Sequence, residues 1–187
     1  PLRVVLSRSL DLPASAQLWH TSTARTLVAH GPGAPQEQRE WLDAMAATGR
    51  VSSGPITPGH EPADRQAAEP TRTDASPETD NRPDFERLEL PSCEPLALLE
   101  ALAQRGCNRV LWECGPELAA AALRQGCVQE LAAVIAPKLL GGASARTPLG
   151  DLGLSHVDQA TIWRERGCIP LGIDRLWQLE PPADSPL

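Results

Sequence analysis

The sequence contains no Cys-x-x-Cys pair, and its cysteine count of five is odd. Zinc sites built on Cys-x-x-Cys pairs and disulfide scaffolds are therefore both poor readings of this chain. The cysteines at 93, 107, 114, 127 and 168 read as reduced thiols, which sets the expectation of a cytoplasmic setting. Apolar runs of membrane-spanning length are missing, and the front of the chain has no signal-peptide pattern. Basic residues are outnumbered, 17 against 24 acidic ones, for a net charge of −7. That balance argues against a nucleic-acid surface. An initiator methionine is also absent, and the expectation is that a segment has been removed upstream of Pro1. His20, His30, His60 and His156 stand without partner spacing and read as surface residues.

What is present suits one α/β domain over residues 1–187, long enough to bury a core. Its organising stretch is 108–142, read as strand, tight turn, helix, strand. Val110, Leu111 and Trp112 suit a short buried strand. Cys114-Gly115-Pro116 breaks it, with Gly115 able to take backbone angles other residues avoid and Pro116 favouring a first helical turn. Residues 118–123 supply an alanine-rich helix stopped by Gly126, and 131–136 the next strand. A glycine turn of this kind aims free backbone N–H groups and the positive end of the helix dipole at one point. The small Ala119, Ala120 and Ala121 leave room there for an anionic ligand, and Glu113 ends the strand beside the same crevice. Such a turn also serves simply as a connection, and Cys107, Cys114 and Cys127 read as small core residues.

Along the rest of the chain, 3–6 and 26–29 read as strands, and 36–47 as a helix with Trp41, Leu42 and Met45 on one side. Residues 52–83 hold six prolines and six acidic residues, with Ile56 the one large aliphatic. Such a segment buries too little apolar area to offset its ordering entropy, so it reads as a disordered loop within the domain. A strand at 85–90 and an amphipathic helix at 95–104, with Leu98, Leu99 and Leu102 inward, follow. This alternation implies a mainly parallel sheet flanked by helices. Residues 161–166 and 174–179 read as a terminal antiparallel strand pair turning around 167–172, with Trp163 and Trp177 covering one sheet face.

Leu-Trp-Glu-Cys-Gly-Pro-Glu-Leu-Ala-Ala-Ala-Ala-Leu-Arg-Gln-Gly, followed by Ile-Ala-Pro-Lys-Leu-Leu-Gly-Gly at 135–142, closely resembles the reductase domain of the bifunctional riboflavin-biosynthesis deaminase/reductase family. Residues 146–154 and 1–8 continue the resemblance. It implies a dihydrofolate-reductase-like α/β fold, a homodimer, and NADPH as cofactor. The implied reaction reduces the ribosyl group of 5-amino-6-(5-phosphoribosylamino)uracil, a small-molecule substrate, to the ribityl form. By position, Glu113 would contact that substrate. Gly115, Pro116, Glu117, Leu118, Ala119, Ala120 and Ala121 would hold cofactor phosphate, and Arg8 would contact the nicotinamide nucleotide, where an arginine suits a 2′-phosphate. The resemblance assigns no catalytic residue and no metal.

Three departures stand out. Cys114 replaces a usual Gly or Ala, Glu117 a usual Thr, and Arg8 a small hydroxyl residue. The His-x-Glu and Pro-Cys-x-x-Cys zinc site of nucleobase deaminases is missing, so deamination is not expected. The resemblance also implies about seventy further residues at the front, within the usual domain size. Two other readings stay open: a degenerate homologue acting as a binding or dimerisation module, and a dihydrofolate reductase.

Overall fold

The computed structural model describes residues 1–48, 85–139, 141–142, 145 and 147–183. The proline-rich acidic segment 52–83 lies outside the described residues. The chain divides into two compact units, Pro1–Cys93 and Glu94–Leu187.

In the N-terminal unit, β1 (Leu2–Leu6), β2 (Arg25–His30) and β3 (Phe85–Glu89) pair in parallel in the order β1-β2-β3. As the middle strand, β2 is covered on both faces, and its near-continuous apolar run is buried from Thr26 through His30. α1 (Gln36–Thr48) buries Trp41, Leu42 and Met45 at helical spacing. These join Leu10, Trp19, Val28, Ala34 and Phe85 in one core cluster. Trp19 meets Trp41 and Phe85 edge-on, with ring centroids 5.8 and 5.3 Å away. Its indole N–H donates to the Pro13 carbonyl at 2.9 Å, so the ring is buried without an orphaned donor. Trp19 comes from a short 3-10 turn (Gln17–Trp19) in the connection between β1 and β2. Leu10 enters the core from a left-handed backbone, φ +56°, and its N–H donates to Ser7 Oγ at 3.0 Å.

His30 corrects one sequence expectation: it is fully buried rather than at the surface. As the last residue of β2 it follows the strand into the interior, where period-2 alternation places it on the face of Thr26 and Val28. Its Nδ1 stands 3.0 Å from the Gly31 carbonyl, which can only accept, so Nδ1 carries the proton. Nε2 has no hydrogen-bond partner among the described residues.

The C-terminal unit holds α2 (Pro95–Gln104), α3 (Pro116–Arg124) and an antiparallel sheet ordered β4-β6-β5: β4 (Leu131–Ile135), β5 (Arg164–Leu171) and β6 (Asp174–Glu180). The amide of Gln125 ties the two helices, accepting from Leu96 N–H at 3.0 Å and donating to Glu94 Oε2 at 2.9 Å. The final hairpin turns more tightly than the sequence suggests. β5 runs on to Leu171, and Gly172-Ile173 alone make the loop, with Gly172 at φ +63°. Glycine in the first position is what a type II′ two-residue turn requires. The sheet's edges differ. β5 carries Arg164, Glu165, Arg166 and Pro170 plus a register shift between Glu165 and Gly167, whereas β4 reads Leu-Ala-Ala-Val-Ile without a charge. Among the described residues β4 pairs only with β6, and Val134 is 61% exposed.

The strand expected at Val110–Trp112 is not formed. Residues 107–115 run without regular structure, and Leu111 is 80% exposed. A short apolar run becomes a strand only when a neighbouring backbone takes its N–H and C=O groups, and no described strand does so here. Trp112 is held instead by its indole N–H, donated to the Cys127 carbonyl at 3.3 Å.

Candidate functional site

The turn into α3 is built from the backbone outward. Gly115 is the residue before the helix, with φ −73° and ψ 171°, and Pro116 opens the first turn. Ala119 N–H donates to the Gly115 carbonyl at 3.0 Å. Because Pro116 has no N–H, the backbone donors of Glu117 and Leu118 remain without helical acceptors. These angles suit any residue, so Gly115 does not use the left-handed freedom expected of it. What it provides is space: a Cβ there would meet nothing within 4 Å.

Glu113, Gly115, Pro116 and Glu117 are exposed, Leu118, Ala119 and Ala121 half-buried, and Ala120 buried. Ala120 and Ala122 therefore serve packing, while the Glu113–Glu117 side presents the turn. Behind it, Gly150 N–H donates to the Pro116 carbonyl at 2.9 Å. A Cβ on Gly150 would stand 3.1 Å from that carbonyl oxygen and 3.4 Å from Glu117 Oε1, so the Glu117 side chain reaches toward Gly150. The same loop is pinned again where Arg124 Nη1 donates to the Asp151 carbonyl at 2.6 Å. Sequence reasoning missed this strap, although Gly150 and Gly153 in a short loop signal close backbone approach.

Burial raises the thiols of Cys114 and Cys127 above the usual cysteine range. Both stay protonated at neutral pH and are poor nucleophiles, in keeping with a packing role. All five cysteines are free. Among the described residues no group of three or more His, Cys, Asp and Glu gathers as metal ligands. Arg8 belongs to the N-terminal unit, just past β1, in a loop held by Ser7 N–H on the Ala29 carbonyl at 3.0 Å. The other assigned residues belong to the C-terminal unit.

A second concavity in the C-terminal unit, of about 910 Å³, lies between the end of α3, the Trp177 face of the sheet and the loop holding Leu149 and Leu152. Trp163, just before β5, and Trp177 of β6 both line it.

Solved structures share this mixed α/β fold. RibD from Acinetobacter baumannii (form 2) matches with a TM-score of 0.63 over 97% of this chain and 38% of that one, at 23% identity. A Thermotoga maritima diaminohydroxyphosphoribosylaminopyrimidine deaminase/5-amino-6-(5-phosphoribosylamino)uracil reductase matches with a TM-score of 0.56 over 97% of this chain and 38% of that one, at 16% identity. The chain belongs to the RibD C-terminal domain family, whose model matches residues 1–172. The riboflavin biosynthesis protein RibD of Synechocystis sp. is 36% identical over 177 residues, 95% of this chain. The chain spans 38% of that relative's length.

Proposed function

We propose that this chain is the reductase part of a riboflavin-pathway enzyme, using NADPH to reduce the ribosyl group of 5-amino-6-(5-phosphoribosylamino)uracil to the ribityl form. The observation that carries the reading is the family match across residues 1–172, which contains the whole turn into α3. The residues fit an anionic cofactor: Gly115 leaves open space at an exposed helix start, where two backbone donors and the helix dipole favour a phosphate. In this reading Gly115, Pro116, Glu117, Leu118, Ala119 and Ala121 hold cofactor phosphate, with the buried Ala120 packing behind them, Arg8 takes the 2′-phosphate, and Glu113 orients the sugar substrate. When bound, the nicotinamide supplies the hydride. Glu117 opposes phosphate by like charge, and its reach toward Gly150 lessens that penalty.

The reading includes a single domain over 1–187, a cytoplasmic setting and a homodimer, the last favoured by the uncharged edge of β4. Light scattering tests the dimer, and a monomer mass at tens of micromolar protein would remove it. A second reading, a non-catalytic homologue serving as a binding or dimerisation module, is favoured by the segment 107–115, which contains Glu113 and pairs with no strand among the described residues.

Calorimetric titration with NADPH separates the two. Gly115→Val fills the open space without backbone strain, so it should abolish cofactor binding and leave thermal stability intact. Glu113→Ala should spare the cofactor and weaken the substrate. Absence of binding by the unaltered chain at millimolar NADPH would overturn the reductase reading for this chain.

A further inference from the structure

The concavity between α3 and the antiparallel sheet takes no part in the site proposed above, and its chemistry points elsewhere. Its volume of about 910 Å³ is in the range of small-molecule sites, and Leu123, Leu131, Leu179, Trp163 and Trp177 give it apolar walls. Although the chain carries 24 acidic residues, among the described residues no carboxylate lines this space, and Arg124 is the one charged residue that does. The other polar groups nearby are largely committed within the fold. The Gln125 amide is spent on Leu96 and Glu94, and Trp177 Nε1 donates to Glu165 Oε2 at 2.9 Å. Arg124 gives one hydrogen bond to the Asp151 carbonyl, whereas a guanidinium has five N–H donors. Such a lining suits a ligand with an extended apolar body and one negative group. It suits a dinucleotide poorly, because several phosphates would face a single cation and apolar walls.

We propose that this concavity is a binding site for amphipathic monocarboxylates, with the hydrocarbon body against Leu123, Leu131, Trp163, Trp177 and Leu179 and the carboxylate on Arg124. The site is independent of the cofactor reading, since it shares no residue with the turn at Gly115.

The test titrates the full chain with dodecanoate, dodecanol and dodecylammonium below their micellar concentrations, followed by tryptophan fluorescence and by calorimetry. Dodecanoate should bind saturably and at least about tenfold more tightly than dodecylammonium, the scale of one charge-assisted hydrogen bond. Arg124→Gln should weaken dodecanoate by about the same factor and leave dodecanol unchanged, and Arg124→Lys should restore part of the loss. Trp163→Phe should remove much of the fluorescence change. NADPH should neither compete with dodecanoate nor alter its affinity. Non-saturable binding, equal affinity for the carboxylate and the ammonium, or an Arg124→Gln chain that binds dodecanoate as before would each overturn the proposal.

Discussion

Two glycines are glycine for different physical reasons. At Gly31 a Cβ would stand 2.9 Å from the backbone nitrogen of Cys93, which cannot move aside without moving the chain. Gly31→Ala should therefore cost about 1–3 kcal/mol in urea unfolding, the range for overpacking. Gly33→Ala, two residues on and with nothing within 4 Å, should change stability by less than about 0.5 kcal/mol. Charge in the first turn of α3 is a trade. Glu117→Gln should tighten NADPH binding severalfold while losing about 0.3–1 kcal/mol of favourable helix-dipole interaction, read by calorimetry and thermal melting together. The raised thiols of Cys114 and Cys127 have a definite sign. Their stabilising contribution is complete below the unfolded thiol range near pH 8.5 and is lost as pH rises through their folded values. At pH 8, mass spectrometry should show iodoacetamide labelling the exposed Cys168 well before Cys127.

Elements that carry their own signal were legible in the sequence, and those that depend on a neighbour were not. α2 matches its expected bounds of 95–104, because apolar spacing, a leading proline and a trailing glycine all belong to the helix itself. α1 declares its buried side through Trp41, Leu42 and Met45. Leu42→Ala should cost about 2–5 kcal/mol, whereas Glu40→Ala on the exposed side should cost less than about 0.5 kcal/mol, by chemical denaturation. Val110–Trp112 shows the opposite case: apolar content was visible, but strand formation required a partner backbone that local sequence does not reveal. Trp19 was hidden inside a loop because a one-turn 3-10 helix has no periodicity to read. His30 was misread because isolated polarity suggests the surface, while the middle position of its strand imposes burial. At the site, residue order gave the turn and the helix start correctly, but neither the ordinary backbone angles of Gly115 nor the docking of Gly150 against Pro116.

At the scale of the molecule, the exposed ion pairs among the described residues add little beside burial. The bridges Arg25–Glu86, Arg87–Asp43 and Arg164–Glu180 each involve an exposed partner, so each contributes little. Raising salt to about 0.5 M should consequently leave the melting temperature nearly unchanged, because exposed pairs are both weak and screened. The single-domain proposal makes its own demand: scanning calorimetry should give one transition whose calorimetric and van't Hoff enthalpies agree, and two resolved transitions would overturn it. The unequal edges of the antiparallel sheet bear on assembly. A chain with two open edges could add copies from both ends without limit, as fibres do. Here charges, a proline and a register shift obstruct β5, leaving β4 as the open edge of this sheet among the described residues. Two copies meeting through β4 would use up the open edge of this sheet in both at once, so growth by addition to this sheet closes at a pair.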